Sequence, residues 1–303
     1  MPTGSRIVVI GSSNTDMVVR AERLPAPGET IIGGKFFMNA GGKGANQAVA
    51  AARLGGTVSF IAKIGNDVFG KEAMALFEKE GIDCSCVSID SESPSGVALI
   101  TVNHEGENCI VVAPGANAAL SPKDFESNIK LIRQADILLM QLEIPLETIA
   151  WAIDTGASEK TKIILNPAPA QIIPDRILKR VDIITPNETE AGILTGIAVT
   201  DPASAERTAK ALLQKGVGSV VITMGAQGAF LMDKNQIQLI PAPAVRAVDT
   251  TAAGDIFNGA LAVGLSNGLS LREAVKFGIR VASISVTRMG AQSSAPYLRE
   301  IIG

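Results

Sequence analysis

Short aliphatic runs alternating with helix-length amphipathic segments constrain this chain more than any other feature. Ile7–Ile10 is closed by Gly11 and reads as a buried strand. TVSFIAKIG (ending at Gly65), DILLMQLE, KIILNPAP, VDIITPN and SVVITMG repeat the pattern. Between them lie helical patterns: KGANQAVAAARLG from Lys43, FGKEAMALFEKEGI, a segment after Pro145, NETEAGILTG and DPASAERTAKALLQKG. Unbroken aliphatic strands are buried on both faces, and strand–helix alternation implies parallel pairing through right-handed crossovers. The expected fold is therefore α/β: a doubly wound, mostly parallel sheet with helices on both faces. A chain of 303 residues suits one such domain over 1–303. Asp67 is placed to cap the helix after it. Ser121-Pro122-Lys123-Asp124 joins an N-cap Ser, a Pro at the first helical position and a first-turn acid, and predicts another helix start.

Two segments break the alternation. Residues 14–40 hold DMVVR and ETIIGGKFFMN, both β-like, and residues 96–113, GVALITVNHEGENCIVVA, read as a hairpin turning at His104–Gly106. Neither carries a helix. Together they predict a small β-sheet lid, formed by about 14–40 and 96–113, set against the main sheet.

Charge and composition narrow the function. The net charge is −3 and no basic run occurs, which argues against a nucleic-acid partner. An anionic ligand must then be held by local devices. No run approaches the roughly 20 apolar residues of a membrane helix, and MPTGSRIVVIG enters a strand without a signal-peptide layout. The three cysteines do not form a disulfide framework, so a soluble, cytoplasmic protein without a membrane partner is expected. With a single histidine, His104, there is no H-E-x-x-H zinc site and no Ser-His-Asp triad away from it. Cys84 and Cys86 read as packing on a strand. A Walker loop is absent, since Gly42-Lys43 is followed by Gly44; Gly216-Val217-Gly218 precedes its strand where a dinucleotide fingerprint follows one.

The segment DTTAAGDIFNGAL, Asp249–Leu261, has small residues from Thr250 to Gly254 leading directly into an apolar helix. Small side chains let backbone amides approach a ligand, and a helix N-terminus stabilises an anion. Asp255 stands at that point. It can accept a proton from an alcohol as a phosphoryl group arrives, or simply cap the helix with Gly254 making the turn. The loop by itself leaves both readings open.

Several ordered motifs carry a resemblance over residue 6 to the C-terminus. GSSNTDMV, GGKGANQAVAAARLG, MQLE, NPAPA, ITPNETEA and DTTAAGDIFNGAL together resemble the PfkB carbohydrate-kinase family, and GGKGANQA resembles its ribose-phosphorylating branch. The resemblance implies ATP-dependent phosphorylation of the ribose 5-hydroxyl with Asp255 as base and the 252–255 amides holding the developing charge. It places Asn14, Asp16, Gly42, Lys43, Asn46 and Glu143 at the sugar. Read as bare residues, the same side chains also suit turns, an exposed helix start and a solvated strand end. For ATP it implies Asn187, Thr223, Gly225, Gly228 and Gly254. Glu190, three residues after Asn187, is implied for Mg²⁺ through water, or is a helix-terminal acid. A K⁺ ion is implied at Asp249, Thr251, Ser285, Arg288, Gly290 and Ser294, mostly through carbonyls. Thr251 stands where the family often has an aliphatic residue, Ile256 where Thr is frequent, and Ile279 where a His near adenine occurs. A homodimer through the β lid is expected, with a lid that closes over ribose. Kinases of the family for deoxyribose, fructose or a nucleoside are the alternative, and a non-catalytic sugar or nucleotide sensor on the same fold is another.

Overall fold

The structure, a computed structural model, describes residues 6–158 and 161–301. The chain opens with β1 (Arg6–Ile10), β2 (Asn14–Arg20) and β3 (Lys35–Gly41), then α1 (Lys43–Arg53), β4 (Thr57–Gly65), α2 (Val68–Lys79) and β5 (Asp83–Asp90). Next come β6 (Gly96–Val102), β7 (Asn108–Ala113), α3 (Ile129–Arg133), β8 (Ile137–Met140), α4 (Leu146–Ala157), β9 (Lys162–Leu165) and α5 (Asp175–Leu178). The last part holds β10 (Ile183–Ile184), α6 (Glu188–Thr195), α7 (Pro202–Gln214) and β11 (Ser219–Thr223). It ends with β12 (Ala229–Met232), β13 (Ile237–Ile240), α8 (Ala253–Ser266) and α9 (Leu271–Ser285).

Nine strands form the main sheet in the order β13-β12-β11-β10-β9-β8-β1-β4-β5. Pairing is parallel from β5 through to β11, and only the β11–β12–β13 edge is antiparallel. From β1 the chain winds outward to β4 and β5, then returns to β8 and winds the other way. The doubly wound reading holds, with its switch point between β1 and β8. Strand period two divides the core: Ile7 and Val9 face one apolar layer with α1, α8 and α9, while Val8 and Ile10 face the other with α4 and α7.

A separate four-stranded sheet, β3-β2-β6-β7, leaves the carboxyl end of β1. Val19, Phe36, Met38, Leu99 and Val111 share its outer face by register and are all exposed. Its hairpin turns where expected.

Two local expectations need correction, and one open alternative closes. The β-like stretch from Glu29 is a strand only from Lys35, because Gly33 and Gly34 take φ of 124° and 101° and interrupt any ladder. Ser121 does close a capping box with Asp124, but over one 3₁₀ turn. Phe125 then leaves helical geometry, at φ −142°, and its buried ring stacks edge-on to Trp151 at 5.4 Å. Burial of that ring outweighs helix continuation. Finally, Asp255 does not cap its helix, as described below.

Candidate active site

Open α/β sheets bind ligands outside the carboxyl ends of their strands, beside the switch point. β1 and β8 deliver Ser12–Asp16 and Gln141–Glu143 to that place, and α1 starts there at Lys43. Two glycines allow the approach. Gly42 has φ 88°, and a Cβ on it would lie 2.6 Å from the Asn14 nitrogen. A Cβ on Gly44 would lie 2.6 Å from the Ser12 nitrogen. Glu143 is no solvated strand end: its carboxylate accepts from the Lys43 amide at 3.1 Å and the Ser12 hydroxyl at 2.5 Å. Asn14 is buried, and its Oδ1 accepts from Asn117 Nδ2 at 2.8 Å. Asn46 is likewise buried inside α1 and not at an exposed helix start.

The N-cap of α8 is Ala252, held at φ 58°, and Asp255 is the third helical residue. The Ala253 amide turns back to the Thr250 carbonyl at 3.2 Å. The Asp255 carboxylate is committed to neighbours across the site: Oδ2 accepts from Asn46 Nδ2 at 2.9 Å and Oδ1 from Gln47 Nε2 at 3.0 Å. Capping is thereby ruled out as its role.

Charge is concentrated here. Burial raises the Asp255 carboxyl above its ordinary range, against the pull of Lys43 and the two amides. Asp16 is pushed up to about 7 by burial, then by Glu143 and Asp255. Burial disfavours the Lys43 ammonium, but Asp255, Glu143, Glu190 and Asp16 outweigh it and hold its pKa above the usual lysine value. The sheet thus assembles one cation among four carboxylates, a set whose acceptors suit hydroxyls.

On the other side of Gly254 lies a cavity of about 630 Å³. Asn187, Thr223, Gly225, Gly228 and Gly254, all five nucleotide expectations, line it. Much of its remaining wall is apolar, with Phe257, Val286 and Ile279, the position where the family can carry a histidine, and Glu188, Thr250 and Ser283 add polar groups. Asn187 and Glu190 form a reciprocal capping box on α6, so the helix-terminal reading of both is real. One Glu190 oxygen takes the Asn187 amide at 2.9 Å. Burial raises its carboxyl, while the Asn187 amide and Lys43 oppose the rise. The carboxylate therefore lies within electrostatic reach of the site even though it caps its helix. Among the described residues, no group of three or more His, Cys, Asp or Glu is arranged to hold a metal.

The residues expected around a monovalent cation come from two segments that meet. Asp249 accepts from the Thr251 amide at 2.9 Å, the Thr251 hydroxyl at 2.6 Å and the Gly290 amide at 2.9 Å. Burial would raise its carboxyl, but these donors hold it below the ordinary range. The Asp249 amide reaches the Val286 carbonyl at 3.1 Å. Ser285 and Ser294 each spend their hydroxyl on a carbonyl three residues back, and the Arg288 guanidinium pairs with Glu300 at 2.6 Å.

A second cavity, of about 550 Å³, lies between the inner face of the small sheet and the 247–251 and 289–293 loops. Asp16, Asn39, Ile100 and Ile110 are in its wall.

Sequence reading missed Asn117, which holds Ser13 and Asn14 in place, and the buried amides Gln47, Gln141 and Asn166. Gln47 lies within a motif already singled out; its period on α1 puts it on the same buried side as Lys43 and Asn46, and that was the available signal.

A family model described as "pfkB family carbohydrate kinase" matches residues 5–298. A ribokinase of Haemophilus influenzae is 46% identical over 296 residues, covering 98% of this chain and 97% of the relative. A deoxyribokinase of Salmonella typhi is 38% identical over 295 residues, covering 97% of this chain and 96% of the relative. Among solved structures, the ribokinase of Arabidopsis thaliana complexed with ribose and ATP superposes with a TM-score of 0.92 at 31% identity, covering 99% and 97% of the two chains.

Proposed function

The chain belongs to the pfkB family of carbohydrate kinases, and on that premise we infer that it transfers the γ-phosphoryl group of ATP to the 5-hydroxyl of D-ribose. The products are D-ribose 5-phosphate and ADP. One observation carries the residue-level reading: Gly254 lines the nucleotide-sized cavity, while Asp255, next in the chain, belongs to the charged cluster on the other side. A phosphoryl group that leaves one cavity for the other must pass the start of α8.

In this reading Asn14, Asp16, Gly42, Lys43, Asn46 and Glu143 hold the sugar. Asp255 accepts the O5 proton as the O5–Pγ bond forms and the bond to the β-phosphate bridging oxygen breaks; ADP leaves with that electron pair. The amides of the N-cap Ala252 and of Gly254 and Asp255 in the first turn of α8 stabilise the charge on the transferring group. Lys43 supports it from the sugar side. Asn187, Thr223, Gly225, Gly228 and Gly254 hold ATP.

Magnesium, when bound with ATP, neutralises phosphate charge. A lone Glu190 with one oxygen spent on its cap suits an ion carried mainly by phosphates and waters, with the carboxylate contacting it through water. Asp249, Thr251, Ser285, Arg288, Gly290 and Ser294 would hold K⁺, whose charge supports the anion loop; the meeting of the two segments at Asp249 and Gly290 favours this. The small sheet is read as a lid over the sugar, since its inner face, which carries Asp16, already walls the cavity of about 550 Å³. Its exposed outer face of Val19, Phe36, Met38, Leu99 and Val111 favours a homodimer through the lid. We assign the reaction to the cytoplasm, where ATP is supplied and where the free thiols Cys84, Cys86 and Cys109 persist.

Similarity to a deoxyribokinase keeps 2-deoxyribose as a second acceptor. ADP release measured with ribose, 2-deoxyribose and fructose, with and without K⁺, tests the proposal. Ribose-dependent ADP release, rising with K⁺, is the expected result. Faster release with 2-deoxyribose would reassign the acceptor, and no release with any sugar would overturn the kinase reading.

A further inference from the structure

The buried amides behind Asp255 form a connected chain that the proposed chemistry does not use. Gln47 and Gln141 are both fully buried. Gln47 Nε2 donates to Asp255 Oδ1 at 3.0 Å and to Asn166 Oδ1 at 3.1 Å, and Gln47 Oε1 accepts from Gln141 Nε2 at 2.6 Å. Asn166 Nδ2 in turn donates to the Thr185 carbonyl at 2.9 Å, and the Thr185 hydroxyl donates to Asn258 Oδ1 at 2.6 Å. Asn258 Nδ2 closes the circuit on the Gly254 carbonyl at 2.8 Å. The carboxyl ends of β8, β9 and β10 are thereby tied to α1 and to the first turn of α8.

The polarity of this chain is not arbitrary. An ionised carboxylate only accepts, so Gln47 must present its NH₂ to Asp255. Its carbonyl then faces Gln141, which must also present NH₂. The Gln141 side-chain oxygen, Oε1, has no partner. It lies beside Gly11, where a Cβ would come within 2.1 Å of it. An unpaired buried acceptor is costly to keep, and its retention fits an amide held for its donor.

We propose that Gln47, oriented by Gln141, is a positioning residue for Asp255: it fixes the carboxylate plane and favours its ionised form while the sugar and phosphates are bound. This rests on Asp255 being the base. The neighbours that also act on Asp255 are Lys43 from α1, Asp16 from β2, Glu143 after β8 and Glu190 from α6. Lys43 favours the charged carboxylate and the three acids oppose it. Gln47 supplies a donor that survives whatever the charges do.

The sign follows. Removing a donor from the ionised form raises the carboxyl pKa, so the acidic limb of the kcat–pH profile moves to higher pH. The expected shift for Gln47→Met is about one to two pH units, the scale of a hydrogen bond to a charged group, with KM for ribose changing less than about threefold. Gln47→Glu, nearly isosteric, puts a like charge beside Asp255 and shifts the limb further. Gln141→Met shifts it in the same direction by less. In the double variant, Gln141→Met adds nothing once the Gln47 amide is gone, which a merely structural role would not produce.

The experiment is the kcat–pH profile of the full chain with ribose and MgATP for these variants and Asp255→Asn, with thermal unfolding recorded for each. Should Gln47→Met fail to fold, Gln47→Glu and Gln141→Met carry the test. An inactive Asp255→Asn beside folded Gln47 variants with the wild-type acidic limb would overturn this inference alone. Wild-type turnover by Asp255→Asn would instead remove the reading on which it rests.

Discussion

On one side of the Gly254–Asp255 bond, Asp16, Lys43, Glu143 and Asp255 crowd together, each held by amides or by the others' charge. On the other side, the nucleotide-sized cavity is walled mainly by glycines, alanines and apolar side chains, with Asn187, Glu188 and Thr223 at its polar edge. The first region works through the identity of fixed side chains in a low-dielectric setting, where each charge counts heavily. The second works through shape and main chain, so most side-chain changes there should be mild. Exceptions arise where the backbone itself needs glycine.

The contrast can be broken at the sugar side first. Asp255→Ala should lower kcat by about 10²–10⁴-fold, the usual scale for a lost general base, with ribose affinity retained in calorimetry. A loss no larger than that of a nucleotide-side variant would erase the distinction. Asp16→Asn should raise KM for ribose by roughly 10–100-fold, the scale of a hydrogen bond from a charged group. The same variant has a stability signature. Asp16 is pushed up to about 7, above its unfolded value of 3.8, so its protonation favours the fold at low pH, and that gain is lost as pH rises through about 7. Thermal unfolding should therefore find Asp16→Asn more stable than the wild type at about pH 8 and nearly equal at about pH 4. Equal Tm at both would mean that the carboxylate is not strained by its neighbours.

At the nucleotide side, Gly228 tests the backbone exception. Its φ is 101°, and a Cβ would meet the Ile240 carbonyl oxygen at 2.0 Å. Gly228→Ala should cost about 1–3 kcal/mol in thermal unfolding and weaken ATP more than ribose. The smallest effect belongs to Ile279→Val, which trims one methylene from the apolar wall. KM for ATP should rise less than about fourfold, and a larger change would move this wall into the class of identity-dependent contacts.

Much of this contrast was legible from residues alone, and unevenly so. The central strands are continuous aliphatic runs, and their alternation with helices forces the parallel, doubly wound sheet. The antiparallel edge, β12 and β13, was not legible: AFLM and IQLI are strands of only four residues each. The small-residue loop before α8 and the segments around Asn14 and Lys43 were readable as ordered motifs, whereas whether Asp255 caps its helix was not. Sequence shows Gly254-Asp255 entering a helix, but the true N-cap is Ala252 in a left-handed conformation, which a non-glycine residue seldom advertises. The amide chain from Gln141 to Asp255 was invisible for another reason. Its members come from positions 47, 141, 166 and 255, and only the sheet brings them within hydrogen-bond distance.

The central claim, that a phosphoryl group crosses from the shape-built cavity to the charged one past Asp255, is tested most directly by phosphorus NMR. The protein is given equimolar ATP and ribose with Mg²⁺ and K⁺. A single sugar monophosphate on O5, formed in step with ADP and not formed by Asp255→Asn, is expected. ADP accompanied by free inorganic phosphate, or a sugar phosphorylated at another hydroxyl, would contradict it.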